Sequence, residues 1–502
     1  MRSAGWADLY AWQVDRASAI PLFRQVYLEI RSAIVSRTLA PGLRLPSTRD
    51  LASRLRIARA SVVSAYEQLL AEGYVVGRTR SGTFISSDLP APIERRASTR
   101  VVAARGSVPA VSARFQAFER VRVFPAESDA APFNMGRTRV DAGSVEAWRK
   151  LSNHTIRTLS AVHLGYSDPQ GLPQLRETIC EYLRAARAVQ CEPDQIIVTT
   201  GTQSAIDLAI RVLLDRDAEV WVEDPCYPVT YQALETAGVR IHPIPVDAHG
   251  MDVAAGIRSA AKARAAFVTA SHQFPLGVAL TMPRRLELLA WARDVGAWIV
   301  EDDYASEFRY SGRPLASLQG LDDAERTIYV GTMNKALFPG LRLGYMVAPR
   351  SLLRAFRSAR YLIDRQPSSL EQTVLAEFMR QGYFASHLRR TRLLYRSQRD
   401  ALVAELGRRA SDHVRIEVPD QGMHLIAYLR GARVDTAIET AARERGIAVR
   451  AVRPMYRKAP PRSGLMLGFS GFSCDAIVRA ASRLAEIIGT GTRTLYSDPV
   501  RG

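Results

Sequence analysis

The chain has 502 residues, 47% hydrophobic and 24% charged, which makes it globular and long enough for more than one domain. No apolar run reaches membrane-spanning length and no basic-then-apolar leader opens the sequence, so a soluble, cytoplasmic protein is expected. A net charge of +18 admits nucleic acid as a partner, and the four cysteines lack the C-x-x-C spacing of a disulfide or zinc site, so free thiols and no metal are expected.

The basic excess does not identify a domain, because residues 1–85 hold 12 Arg against 6 acids while the rest is basic too. Lysine, however, stands only at positions 150, 262, 335 and 458, so a lysine inside a motif carries weight.

From Pro21 to Leu39, Leu22, Val26, Ile30, Ile34 and Val35 recur at helical spacing, and Ala40-Pro-Gly stops the helix. Ser47-Thr-Arg-Asp50 reads as a capped start of a short helix, Thr48 to Leu55. A further helix runs from Ala58 to Glu72 and ends at Gly73. Tyr74 to Ile85 then holds two β-prone runs around a turn, which predicts a hairpin. This order predicts a winged helix-turn-helix over 14–86. Its second paired helix would present Ala58, Arg59, Ala60 and Ser61 to base edges, with Arg44, Ser47, Arg49, Arg78 and Arg80 placed toward the DNA backbone or minor groove.

The stretch resembles the GntR family of bacterial regulators through Pro21-Leu-Phe-Arg-Gln25, Gly42-Leu-Arg-Leu-Pro-Ser-Thr-Arg49, Leu51-Ala52, Ala65-Tyr-Glu-Gln-Leu69 and Glu72-Gly73-Tyr74. It departs at Arg56-Ile-Ala58, where the family has glycine and a small hydroxyl residue in the turn. Residues 87–132, rich in Pro, Ala, Ser and Arg, read as a flexible linker with room for one short helix.

The remainder, 133–502, alternates strands and helices, which predicts an α/β fold with a mostly parallel sheet and ligands beyond the strands' carboxyl ends. Gly201-Thr202-Gln203 joins a strand to a helix whose free N–H groups suit a phosphate. Trp298-Ile-Val-Glu-Asp302-Asp303-Tyr304 ends a strand in acids, and Thr332 and Lys335 follow the next strand, with Arg342 beyond. A lysine, an acid and an arginine in this order suit pyridoxal 5'-phosphate: a Schiff base, a partner for the ring nitrogen and a phosphate ligand. At this stage Asp303 could exchange roles with Asp302.

These residues resemble fold type I aminotransferases across 133–495. The resemblance implies that Lys335 is the Schiff-base lysine, Asp302 faces the pyridine nitrogen, Tyr304 stands beside the ring hydroxyl, and Thr332 and Arg342 hold the phosphate. It implies that Tyr227 stacks on the ring and that Tyr166 is lent by a neighbouring subunit, hence a homodimer. His272-Gln273 stands where aminotransferases keep an Asn-Pro pair that contacts the ring oxygen. A smaller domain from about 355 carries Met466 near where the family's carboxylate-binding arginine stands, with Arg453 and Arg462 as neighbouring candidates.

The order of parts, with Ser271-His-Gln-Phe-Pro, Glu301-Asp-Asp-Tyr-Ala-Ser-Glu307-Phe and Phe338-Pro-Gly-Leu-Arg342, resembles the MocR subgroup of GntR regulators. That implies a regulator of vitamin B6 or amine and amino-acid metabolism genes. It would bind operator DNA, associate with the nucleoid when bound, and sense pyridoxal phosphate or an adduct of it. A pyridoxal-phosphate-dependent aminotransferase with an accessory DNA-binding domain is the alternative.

Overall fold

The computed structural model describes residues 12–78, 81–87, 117–121, 131–312 and 315–490. They divide into two compact units, Met1–Ala110 and Val111–Gly502. Most of the expected linker lies outside the described residues, apart from one helical turn at 117–119.

In the first unit, α1 (Leu22–Val35) buries Val26, Tyr27, Ile30 and Ile34, one stripe of a 3.6-residue period. It ends at Val35, short of Leu39, because Arg37 turns the chain with φ +61° while Leu39 stays in the core. Before α2 (Thr48–Leu55), the Ser47 hydroxyl accepts the Asp50 N–H at 3.1 Å and donates to the Asp50 carboxylate at 2.6 Å. Arg56 then adopts the left-handed conformation (φ +51°, ψ +43°), so the turn keeps the geometry for which glycine is ordinarily selected, at a cost of about 1 kcal/mol. Next comes α3 (Arg59–Ala71), which buries Val62, Ala65, Tyr66 and Leu69 against α1 and α2. The wing is β1 (Val75–Arg78) paired antiparallel with β2 (Gly82–Ile85), and residues 42–45 hydrogen-bond along β2.

The second unit is built on an eight-stranded sheet of β3 (Ile196–Thr199), β4 (Glu219–Asp224), β5 (Arg240–Asp247), β6 (Gly250–Met251), β7 (Ala265–Val268), β8 (Trp298–Asp303), β9 (Thr327–Thr332) and β10 (Gly344–Val347). Their spatial order is β3-β10-β9-β8-β7-β4-β5-β6. β9, β8, β7, β4 and β5 are parallel, while β10 runs against both neighbours and β6 against β5. The near-continuous apolar runs of β3 and β7, and the apolar centres of β4 and β9, suit strands buried on both faces.

A second, antiparallel sheet has the order β11 (Val414–Glu417), β12 (His424–Leu429), β14 (Gly464–Gly468), β13 (Arg450–Ala451). Helices Tyr383–Ala410 and Cys474–Thr490 pack together beside it. The Asp224 carboxylate, at the end of β4, accepts the backbone N–H groups of Arg457, Lys458 and Ala459 at 2.6–2.7 Å and ties the segment before β14 to the large sheet. All four cysteines are free, with the Cys180 and Cys191 sulfurs 3.6 Å apart.

Candidate functional site

A cavity of about 360 Å³ opens at the carboxyl ends of β4, β8 and β9. Parallel strands deliver this convergence: each ends on the same edge, and the loop that follows turns its first side chains toward the next strand's loop. Of the twelve residues expected at a cofactor site, nine line it: Gly201, Thr202, Gln203, Tyr227, Asp302, Tyr304, Thr332, Lys335 and Arg342.

Lys335 projects from a single helical turn, Met333–Ala336, capped by the Thr332 hydroxyl, which accepts the Asn334 N–H at 3.1 Å. Burial, and then the nearby Arg450 guanidinium, bring its amine down to about 8. The lysine therefore reaches its nucleophilic, uncharged form at a lower pH than an exposed lysine would, although most of it is still protonated at neutral pH.

The adjacent acids of β8 point to opposite sides. Asp303 is held through one carboxylate oxygen by a buried network, its other oxygen lacking a partner. Its carboxylate pairs with Arg187 at 2.7 Å and accepts hydrogen bonds from Tyr329 at 2.6 Å and Ser306 at 2.8 Å. Arg187 in turn donates to Ser271 Oγ and the Leu315 carbonyl. Asp302 faces the cavity, and its buried Oδ1 has no hydrogen-bond partner. Burial, with Asp303 and Glu223 nearby, pushes its carboxyl up to about 8. A cationic ring nitrogen supplied from the cavity would restore the carboxylate. The Tyr304 hydroxyl is likewise buried without a partner, and burial raises it well above the ordinary phenol range, so it stays a donor. The choice between Asp302 and Asp303 left open by sequence thus falls on Asp302.

Tyr227 meets the Phe274 ring edge-on at 5.2 Å and forms one wall. Gly201, with φ +127°, opens the helix Thr202–Leu213. A Cβ there would lie 2.8 Å from the Asn334 amide nitrogen and 4.0 Å from the Arg342 guanidinium, so only glycine leaves that corner open. The corner has a helix N-terminus and an arginine together, an arrangement suited to a phosphate group.

Three expected residues stand elsewhere. The Gln273 amide is spent on its own loop, donating to the Pro225 and Phe274 carbonyls at 2.7 Å and accepting the Leu276 N–H at 3.0 Å, so it has no free face for a cofactor. His272 is buried behind the cavity wall against Gly277, Gly422 and His424, and does not line it. Tyr166 lies outside the cavity of its own chain and is 79% exposed, with Arg365 stacked 3.9 Å over its ring.

Sequence reasoning missed Arg450 and His424, which both line the cavity. It looked instead to Arg453 and Arg462. Arg453 is exposed, and its backbone N–H is bound to Asp435. Arg462 lies 3.7 Å over the Tyr428 ring and pairs with Glu417. The missing signal was strand pairing: Arg450 is the cross-strand partner of Met466, a contact invisible across sixteen residues of chain.

In the first unit Arg44, Arg49, Arg59 and Arg78 are exposed, and Ser61 is half-buried on the first turn of α3. Arg59 donates to Thr48 Oγ1 at 3.2 Å and links the two helices. Arg78 stacks over Phe84 at 4.9 Å, and Arg44 bridges to Phe84. The Ser47 hydroxyl is committed to its helix cap. Arg80 lies outside the described residues.

Residues 22–85 match the bacterial regulatory proteins of the gntR family, and residues 130–464 match aminotransferase class I and II. The chain is 37% identical over 461 residues to the "Probable rhizopine catabolism regulatory protein MocR" of Rhizobium meliloti, covering 91% of this chain and 92% of that protein. It belongs to the MocR subgroup of the GntR regulators. The pyridoxine biosynthesis regulator PdxR of Corynebacterium glutamicum, 31% identical over 471 residues, covers 93% of this chain and 96% of its own. A solved Pyrococcus horikoshii kynurenine aminotransferase in complex with PMP aligns with a TM-score of 0.68 at 26% identity, over 76% of this chain and 97% of that one.

As a MocR-type protein the chain combines a DNA-binding helix-turn-helix with a unit that binds pyridoxal phosphate. The unpartnered Asp302 and Tyr304 atoms, the depressed lysine and the open phosphate corner fit that cofactor. When bound, pyridoxal phosphate supplies an aldehyde that reacts reversibly with amines and a ring that draws electrons from them. No helix among the described residues is long and apolar enough to cross a membrane.

Proposed function

We propose that this pyridoxal-phosphate-binding transcriptional regulator controls genes of vitamin B6 or amine metabolism, with cofactor and amine occupancy setting its affinity for operator DNA. The names of two relatives, one tied to pyridoxine biosynthesis and one to rhizopine catabolism, support that range. The observation that carries the reading is the pair of buried, unpartnered polar atoms, Asp302 Oδ1 and Tyr304 Oη, facing the same cavity as Lys335. Unpartnered polar atoms on the wall of a cavity are groups that a bound ligand can meet.

In this reading Lys335 holds the cofactor covalently, Asp302 meets its ring nitrogen and Tyr304 its ring oxygen. Tyr227 covers the ring, and Arg342, Thr332 and the N–H groups of Thr202 and Gln203 bind the phosphate. Arg44, Arg49, Arg59, Ser61, Arg78 and Arg80 contact DNA, with Arg59 the residue suited to a guanine edge. Ser47, exposed, caps α2 and belongs to the same DNA-facing set.

A homodimer completes the arrangement. Tyr166 lies beside Arg365 and Tyr361, with Leu164 and Leu362 exposed at 76% and 81% on the same two neighbouring segments. An aromatic and aliphatic surface of this kind suits a second subunit, whose cavity Tyr166 would then reach. Analytical ultracentrifugation of the wild type and of Leu362→Glu checks this: the wild type sediments as a dimer and the variant shifts toward monomer. Cofactor-dependent DNA binding is tested by a gel shift on the DNA upstream of the gene. Loss of that binding in Arg59→Ala, with the fold intact by circular dichroism, would support the assignment of α3.

A further inference from the structure

The chain comes from the DNA-binding helices through residues 87–132, and the segment it then forms, residues 132–141, holds the turn that carries Lys335. Lys335 Nζ donates to the Met135 carbonyl at 3.4 Å, and the Thr138 hydroxyl donates to the Leu337 carbonyl at 2.8 Å. His387 joins the same turn to the end of the segment. Its Nε2 donates to the Ala336 carbonyl at 3.1 Å, and its Nδ1 lies 3.2 Å from the Asp141 carboxylate. The carbonyls at the end of a single helical turn have no partner within it, so these contacts supply what the turn cannot.

On its other side the segment lies along the small sheet. The Pro132 and Phe133 carbonyls accept the N–H groups of Ala448 and Gly468 at 2.9 and 3.1 Å, and the Ser470 hydroxyl donates to the Arg137 carbonyl at 2.8 Å. A Cβ on Gly468 would meet the Phe133 and Asn134 carbonyl oxygens at 2.9 and 3.0 Å, so glycine permits this close approach. Phe133 is buried with φ +68°, a left-handed backbone that a phenylalanine adopts only when its surroundings impose it. The segment is therefore clasped between the small sheet and the Lys335 turn, and one clasp is the lysine amine itself.

That clasp has two states. The free amine has hydrogens to donate to Met135. In the function proposed above, on which this inference rests, the neutral amine joins the cofactor's aldehyde carbon in a C=N bond. Both amine hydrogens leave with the aldehyde oxygen as water, and the Met135 carbonyl loses its donor. An effector amine that takes over the same carbon passes its two hydrogens to Lys335 and restores the donor. We infer that residues 132–141 are the relay between the cofactor cavity and the DNA-binding unit: held when Lys335 is free, released when it is joined to the cofactor, and continuous with the linker that carries the DNA-binding helices. Effector capture then sets the same state of the relay as an empty cavity, the opposite of cofactor alone. Coupling of this kind needs one element with two arrangements that both sites bias.

The test uses full-length protein, pyridoxal phosphate, and methoxyamine as the probe amine that takes the aldehyde carbon and frees Lys335. Hydrogen exchange read by mass spectrometry should slow at residues 133–141 when methoxyamine is added to the loaded protein. Lys335→Ala given the same two ligands should show no such change. Affinity for the DNA upstream of the gene, by gel shift, should change about fivefold or more on that addition, the low end of the usual range for coupled sites. Thr138→Val and Ser470→Ala each remove one clasp, and neither residue lines the cavity. In both, cofactor loading by visible absorbance should persist while the DNA response falls to about twofold or less. Exchange at 133–141 that ignores methoxyamine in protein whose DNA affinity responds to it overturns the relay alone. A full response in both variants does the same, as does DNA affinity that follows cofactor loading but ignores methoxyamine. A wild type that does not load pyridoxal phosphate, or whose DNA affinity ignores it, overturns the function beneath the relay as well.

Discussion

Asp302 and Asp303 are neighbours on one strand, yet they belong to different kinds of environment. Behind the strand, one oxygen of Asp303 is tied to Arg187, Tyr329 and Ser306, and Arg187 in turn to Ser271, in a buried network, while the other Asp303 oxygen has no partner. In front, Asp302 and Tyr304 have buried polar atoms with no protein partner. The difference lies in what each acid faces: an ion pair and two hydrogen bonds tie Asp303 into the β8 edge, whereas Asp302 and Tyr304 open on a cavity that a ligand can fill. The network also sets the direction of Asp302, because pinning Asp303 to one face of a strand sends its neighbour to the other.

The sharpest way to break this comparison is to remove Arg187. Arg187→Met leaves Asp303 charged and buried, and should cost about 3–5 kcal/mol in urea unfolding. A cost below about 1 kcal/mol would mean that the network is not structural.

Substitution on the cavity side should behave in the opposite way. Asp302→Asn should leave unfolding of the cofactor-free protein nearly unchanged, yet weaken pyridoxal phosphate binding by about 1.5–3 kcal/mol, read by equilibrium dialysis. Lys335→Ala should abolish the visible absorbance of the joined cofactor while the first unit still folds. Capture of pyridoxal phosphate by cofactor-free wild type should accelerate as pH rises through about 8, because the reactive form of Lys335 is the unprotonated one. A rate flat from pH 6 to 9 would show that this lysine does not control capture.

The smallest effect belongs to the first unit, where Ser47→Ala removes a helix cap and should cost about 1 kcal/mol by thermal denaturation, with little change in base preference.

Much of this arrangement was legible in the residues. Helical spacing from Leu22 to Ile34 and the Ser47 cap located the winged helix. The lysine-poor composition made Lys335 conspicuous, and strand-end acids and glycine marked the cofactor edge. What periodicity could not supply was which of two adjacent acids faces the cavity, since a strand side is fixed only by its neighbours. Nor could it reveal that Gln273 spends its amide on its own loop, or that Arg450 lies across from Met466. Those depend on register between strands distant in sequence, the level at which local pattern stops carrying information.

The most direct test of the central claim is a gel shift on the DNA immediately upstream of the gene, using purified full-length protein with and without pyridoxal phosphate, and with Asp302→Asn as a control. The account predicts a specific complex whose affinity changes with pyridoxal phosphate in the wild type and much less in the variant. No complex under either condition, alongside steady turnover of amino donors, would contradict it and make the chain an aminotransferase with an accessory domain.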